Sequence, residues 1–355
     1  MNHHMKKLPI LSAALLAFAS PAFAEKPTQI EPENTPVKMA TKPTPALVSY
    51  SGFQVMTKEV ADHRAKRLIT LDQFNKMSAE KNTIILDTRS AHSFKGLHMK
   101  GATHMNFSDF TKEKLEKLIP DKNTRILIYC NNNFKDNPAT MMMKMRPLAL
   151  NIPTYINLYG YGYQNVYELS EHLSINDNRI KLGGTIAAKY AKKVSPDRAI
   201  TPAEVDYQGF TKLIEKFAPE REKRLISLDK FNEMSKEPNT IILDTRSAKA
   251  FKGIHLTNAV HLNFSDFTQQ KLSKVIPDKN TRILIYCNNN IKADPEKIPE
   301  FQPKGSSLAL NIPTNINLNG YGYKNVFELK VLVPINDSRL SLTGTKVPSI
   351  TKPVK

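Results

Sequence analysis

Pro120-Asp121-Lys122-Asn123-Thr124-Arg125-Ile126-Leu127-Ile128-Tyr129-Cys130 returns letter for letter at residues 277–287. The stretch ends in a run of apolar residues with no polar face, as a strand buried on both sides of a parallel sheet requires. Each run stops at a cysteine and opens a polar loop, Cys130-Asn131-Asn132-Asn133 and Cys287-Asn288-Asn289-Asn290. Working outward, Asp87-Thr88-Arg89-Ser90-Ala91 recurs at 244–248, and Asn106-Phe107-Ser108-Asp109-Phe110-Thr111 at 263–268. The register is constant from Tyr50/Tyr207 through Cys130/Cys287, then slips by three residues before Leu148/Leu308. The second copy therefore carries three extra residues just after its cysteine. A repeat this long is a whole domain, not a solenoid unit.

We place domain one at 47–185, a linker at 186–202, domain two at 203–346 and a tail at 347–355. Within a copy the pattern alternates strand and helix. Residues 71–77 have helical spacing, with Thr70 or Asp72 able to cap. Strands are expected at 83–87, 104–107, 125–129 and 165–169. Helices are expected at 110–118 and, entered through Pro153, at 153–158. This is an α/β fold: two tandem domains, each a mainly parallel sheet flanked by helices on both faces. Sites in such sheets lie beyond the carboxyl ends of the strands, where both cysteines stand.

The chain has 355 residues, 40% hydrophobic and 24% charged, with two cysteines. That excludes disorder throughout, a multispan membrane protein, a disulfide scaffold and a four-ligand structural zinc site. Lys and Arg number 51 against 33 Asp and Glu, a net charge of +18. Such an excess favours anionic partners or a solvated basic surface. The lysines are scattered and no nucleic-acid motif accompanies them, so nucleic acid is not expected as a partner. Residues 1–24 read as a secretory signal peptide: Lys6 and Lys7, an apolar run at 8–19, then Ser20-Pro21-Ala22-Phe23-Ala24 with cleavage after Ala24. The run is too short for stable membrane insertion. The mature protein is expected in a bacterial periplasm or secreted. Residues 25–46 are a Pro-rich linker.

The cysteines carry the strongest chemical signal. A loop leaving a strand presents backbone N–H groups that stabilise a thiolate and can hold an anion. Lys135 and Lys292, five residues after each cysteine, could add positive charge. The same residues also fit a small buried hydrophobe, or a disulfide between the two copies. Met141-Met142-Met143-Lys144-Met145 fits a soft Cu(I) cluster in type, but copy two lacks these methionines, and apolar anchoring of the loop is the simpler reading.

Taken in order, these residues resemble the rhodanese-like domain family. The segment 85–89 followed by Phe94-Lys95-Gly96-Leu97-His98-Met99-Lys100-Gly101-Ala102 is similar to its first signature. Residues 126–130 resemble the strand into its catalytic cysteine, and Gly160-Tyr161-Gly162-Tyr163-Gln164-Asn165-Val166-Tyr167-Glu168-Leu169 its closing segment. Copy two repeats the set with Asp244, Arg246, Gly253, His255, Ala259, Cys287 and residues 322–326. The resemblance covers nearly all of both domains. It implies a sulfurtransferase in which Cys130 and Cys287 take a sulfane sulfur from a small anionic, thiosulfate-like donor as a persulfide. They would then hand it to a thiol or cyanide-like acceptor. Asn131, Asn132, Asn133 and Lys135, with Asn288, Asn289, Asn290 and Lys292, would line the substrate site. Asp87, Arg89, Asp244 and Arg246 would support it by tying loop to turn. His98, His255, His104 and His261 would pack and hydrogen-bond rather than act as bases. No metal or cofactor is implied.

The chain departs from the family where the chemistry lies. Its post-cysteine loop lacks the family's glycine, begins Asn-Asn-Asn, and runs on to Pro147 or Ser307. Copy two has Asn258 where copy one has Gly101. The alternative function is a non-catalytic binding module that recognises a partner protein or a persulfide through these long loops. Phosphatase-like chemistry would need Arg six residues after the cysteine; Asp136 and Ala293 stand there.

Overall fold

The computed structural model describes residues 43–347 apart from 137, 139, 140, 193 and 196–199. The signal peptide read at 1–24, the Pro-rich stretch before Pro43, Pro196 and the tail past Val347 lie outside the described residues.

In the first copy, α1 (Tyr50–Ala65) starts at Ser49, whose side chain accepts from Gly52 N–H. β1 (Leu68–Ile69) leads to α2 (Leu71–Ser78), fixed by a Thr70/Gln73 capping box. β2 (Thr83–Asp87), α3 (Ala91–Gly96), β3 (His98–Met99) and β4 (Ala102–His104) follow. Then come α4 (Lys112–Leu118), β5 (Arg125–Tyr129), α5 (Asn151–Gly160), β6 (Val166–Leu169) and β7 (Leu182–Gly183). The strand expected at 104–107 ends at His104, because Asn106 turns the chain into a 3-10 turn by accepting from Ser108 N–H. Gly101 and its counterpart Asn258 both sit in the left-handed region, at φ 87° and 65°.

The five main strands are all parallel in the order β1-β6-β5-β2-β4, so Cys130 leaves the end of the central strand. Copy two repeats the order with Leu225–Ile226, Val326–Leu329, Arg282–Tyr286, Thr240–Asp244 and Ala259–His261. Residues alternate across β5. Leu127 and Tyr129 join Phe74 and Met141 in an outer core. Ile126, Ile128 and Cys130 face an inner core that runs without a break into Ile283, Ile285 and Cys287 of copy two. Of the methionine run at 141–145 expected to anchor the loop, Met141 is buried in this core, whereas Met145 is exposed.

The two copies meet about an approximate two-fold axis, so their contacts come in reciprocal pairs. Tyr50 OH donates to Ile214 O and Tyr207 OH to Thr57 O. Ser108 Oγ donates to Thr245 O and Ser265 Oγ to Thr88 O. The Phe107 and Phe264 rings touch on the axis, with centroids 5.2 Å apart. Among the described residues, no helix is long and apolar enough to cross a membrane.

Candidate functional site

Cys130 extends β5, and its N–H donates to Asn133 Oδ1 at 2.9 Å. The backbone N–H groups of Asn132 and Asn151 donate toward its sulfur. Copy two does the same with Asn290 Oδ1 and the N–H groups of Asn289 and Asn311. These amide groups favour the thiolate at each sulfur.

The expectation of a reachable thiolate is not met. Cys130 is 1% exposed and Cys287 0%, and both are free thiols rather than a disulfide. Burial pushes both up to about 11, against the amide hydrogen bonds that favour the thiolate. The buried carboxylates Glu168 and Glu328 act in the same direction as burial.

The asparagines seal the sites rather than face a substrate. Asn131 Nδ2 donates to Met142 O, and its Oδ1 accepts from Arg89 Nη1. Asn132 Nδ2 donates to Lys144 O and Glu204 O, while its Oδ1 accepts from Lys144 N–H. Asn133 Nδ2 donates to Leu169 O at the end of β6. In copy two, Asn288 reaches Gln302 O, Asn289 reaches Lys304 O and Leu47 O, and Asn290 reaches Leu329 O. Each long loop is thus laced back over its own cysteine. The segment leading into each copy's first helix, at Leu47 or Glu204, clasps the other copy's loop.

Lys135 and Lys292 are solvent-exposed. Besides Arg89, which acts on the Cys130 thiol, the cations coupled to the thiols include Lys144 and Lys304, which the sequence reading did not single out. Both are buried. Lys144 Nζ donates to Phe264 O at 2.9 Å and lies 4.4 Å from that ring's centroid; Lys304 Nζ donates to Phe107 O at 3.0 Å and lies 4.4 Å from its ring. Burial pulls both down to about 7, opposed by the thiols and by Asp266 or Asp109 across the axis. Their signal was in the repeat: counted back from Leu148 and Leu308, the two lysines coincide.

Arg89 joins Asp87 to the turn carbonyl of Leu97 and to Asn131 of the loop. Arg246 joins Asp244 to Ile254 O and to Glu300 O. His98 Nδ1 bonds Phe94 O and the ring stacks on Phe94; His104 Nε2 bonds Arg89 O. His255 and His261 repeat this against Phe251 O and Arg246 O. Among the described residues no three His, Cys, Asp or Glu side chains gather as a metal site.

The rhodanese-like domain model matches residues 70–174 and 227–330. The chain belongs to the rhodanese-like domain family, in tandem form. Solved structures similar to it include a thiosulfate sulfurtransferase from Pseudomonas aeruginosa, at 14% identity and TM-score 0.43, covering 83% of this chain and 48% of that one. This chain thus spans about half of that protein's length. The 3-mercaptopyruvate sulfotransferase SseA from Escherichia coli is similar at 12% identity and TM-score 0.23, covering 74% and 97%. Wild-type EanB is similar at 15% and 0.23, covering 74% and 57%. No curated protein matches the chain.

Proposed function

We propose that this chain is an exported rhodanese-like binding module whose two cysteines are, at rest, packing groups rather than nucleophiles. The observation that carries this reading is the sealing of Cys130 and Cys287 beneath their own loops, where burial disfavours the thiolate. The nucleophile in sulfur transfer is the thiolate, and it must meet its donor. Two copies keep the same asparagine lacing, so the sealing is a feature of the repeat unit. The leader at residues 1–24 supports a periplasmic or secreted location. The element order supports domain limits near 47–185 and 203–346.

A second reading, sulfur transfer through Cys130 or Cys287, is favoured by the amide N–H groups on each sulfur, which would stabilise a thiolate or a persulfide once a loop opened. The two readings separate by mass. The full chain is incubated with thiosulfate, and separately with a low-molecular-weight persulfide, and compared with Cys130→Ser and Cys287→Ser. No sulfur gain is expected from either donor. A cyanide-labile gain of one sulfur, lost in either variant, would establish transfer.

A further inference from the structure

A cleft of about 710 Å³ lies between the two copies, beyond the carboxyl ends of β2 and β4 and their counterparts. Neither cysteine lines it. Its volume falls in the range of roughly 300–1,000 Å³ typical of small-molecule sites. The walls are near-symmetric, with Ser90, His104 and Asp109 facing Ser247, His261 and Asp266.

With Lys271 and Lys346, which pair with two of its carboxylates, the cations around this cleft outnumber the acids. Asp109 accepts from Ser247 Oγ at 2.7 Å. Asp266 accepts from Ser90 Oγ at 2.9 Å and pairs with Lys271 at 2.9 Å. Glu300 pairs with Lys346 at 2.8 Å. Asp266 and Glu300 are thus paired with cations, whereas Asp109 is held by a hydroxyl alone and keeps its charge at the cleft. Lys114, Lys117 and Lys249 also line the cleft, and they have no carboxylate partner among the described residues. His104 and His261 each give Nε2–H to a carbonyl, at 2.9 Å. That fixes the tautomer and leaves Nδ1 unbonded among the described residues. Met105, Leu118, Ala91, Ala248 and Pro299 supply apolar wall.

We propose that this interdomain cleft binds an organic anion with an apolar body, its acid group held by Lys114, Lys117 and Lys249 and its chain laid along the Met105–Leu118 wall. The inference deepens the binding reading and rests on it. An inorganic anion would leave the apolar wall wet, and a cationic amphiphile would meet three unpaired ammonium groups.

The test is calorimetric titration of the full chain with octanoate, with octylammonium and thiosulfate as comparisons. Octanoate is expected to saturate at one site per chain, to weaken as salt rises, and to outcompete both comparisons. Lys117→Glu/Lys249→Glu should weaken it at least tenfold with the unfolding temperature unchanged. Ala248→Trp should weaken it through space alone. Octanoate that does not saturate, or that binds the charge-reversed variant with full affinity, overturns the assignment. The sulfur-loading experiment reports separately on the binding reading. Uptake of sulfur by either cysteine removes that reading, whereas failed titration without uptake removes only the cleft.

Discussion

Lys144→Met/Lys304→Met is expected to be more stable than the wild type at pH 6, by about 3 kcal/mol or more for the pair. Each ammonium is buried with one carbonyl and aromatic ring faces for company. The carboxylate that favours the Lys144 ammonium, Asp266, is already paired with Lys271. A thioether of similar length keeps the packing and removes the desolvation cost. The backbone bonds of residues 144 and 304 to Asn132 and Asn289 do not need the lysine head. The wild type should also show a particular pH dependence. The folded lysines release protons near pH 7, while the unfolded chain holds them to the ordinary lysine value of 10.5. Between these limits the unfolded state binds more protons, so wild-type stability rises with pH above 7. One pH unit is about 1.4 kcal/mol per fully titrating site. Above pH 9 the two thiols, which ionise in the unfolded chain before the folded one, offset the two lysines and the rise levels off. Urea unfolding at pH 6 and pH 9 checks both statements. A double variant less stable than the wild type at pH 6, or equally steep in pH, would show that the ammonium groups hold the copies together.

Asp87→Ala should cost about 3–5 kcal/mol, because it leaves a buried guanidinium uncompensated. Asp87 accepts from Arg89 N–H, Nε and Nη2 and from Tyr129 OH, with both charged side chains sealed from solvent. Burial disfavours its ionisation. The charge and hydrogen bonds of Arg89, with that of Tyr129, outweigh burial and hold it below the usual carboxylate range. That stabilisation is complete above the unfolded carboxylate value of 3.8 and is lost as pH falls through the lower folded value. Asp87→Ala/Arg89→Met should recover much of the loss, since it removes the orphaned charge. Urea midpoints for the two variants read this out. A single variant within about 1 kcal/mol of the wild type would contradict the account, being no more than an exposed pair contributes.

The repeat made the architecture legible. Short apolar runs at 83–87 and 125–129 suited strands buried in a parallel sheet, and the structure places them side by side in parallel. The first helix was not legible. Its buried stripe, Tyr50, Phe53, Thr57, Val60 and Arg64, includes a threonine and an arginine, which break the apolar pattern that marks a helix. Arg64 is buried because Glu168, a hundred residues away, binds it at 2.6 Å, and local sequence carries no sign of such a partner. The cysteine positions at strand ends were read correctly. Their state was not, because whether a loop opens over a thiol or folds down on it depends on where asparagine side chains reach. Asn132 reaches Glu204, and Asn289 reaches Leu47, contacts made only after the copies dock.

The sealed thiols are tested most directly by timing their alkylation. The folded chain and the urea-unfolded chain are treated with iodoacetamide at pH 8, and Cys130 and Cys287 are followed separately by peptide mass. A thiol moved from an ordinary 9.0 to about 11 loses about a hundredfold in thiolate from ionisation alone, and burial slows it further. Both cysteines are expected to react at least about a hundredfold more slowly in the folded chain. Reaction of either at the unfolded rate would mean that its sulfur is open and ionised, and the chain would then be read as a sulfur-transfer enzyme.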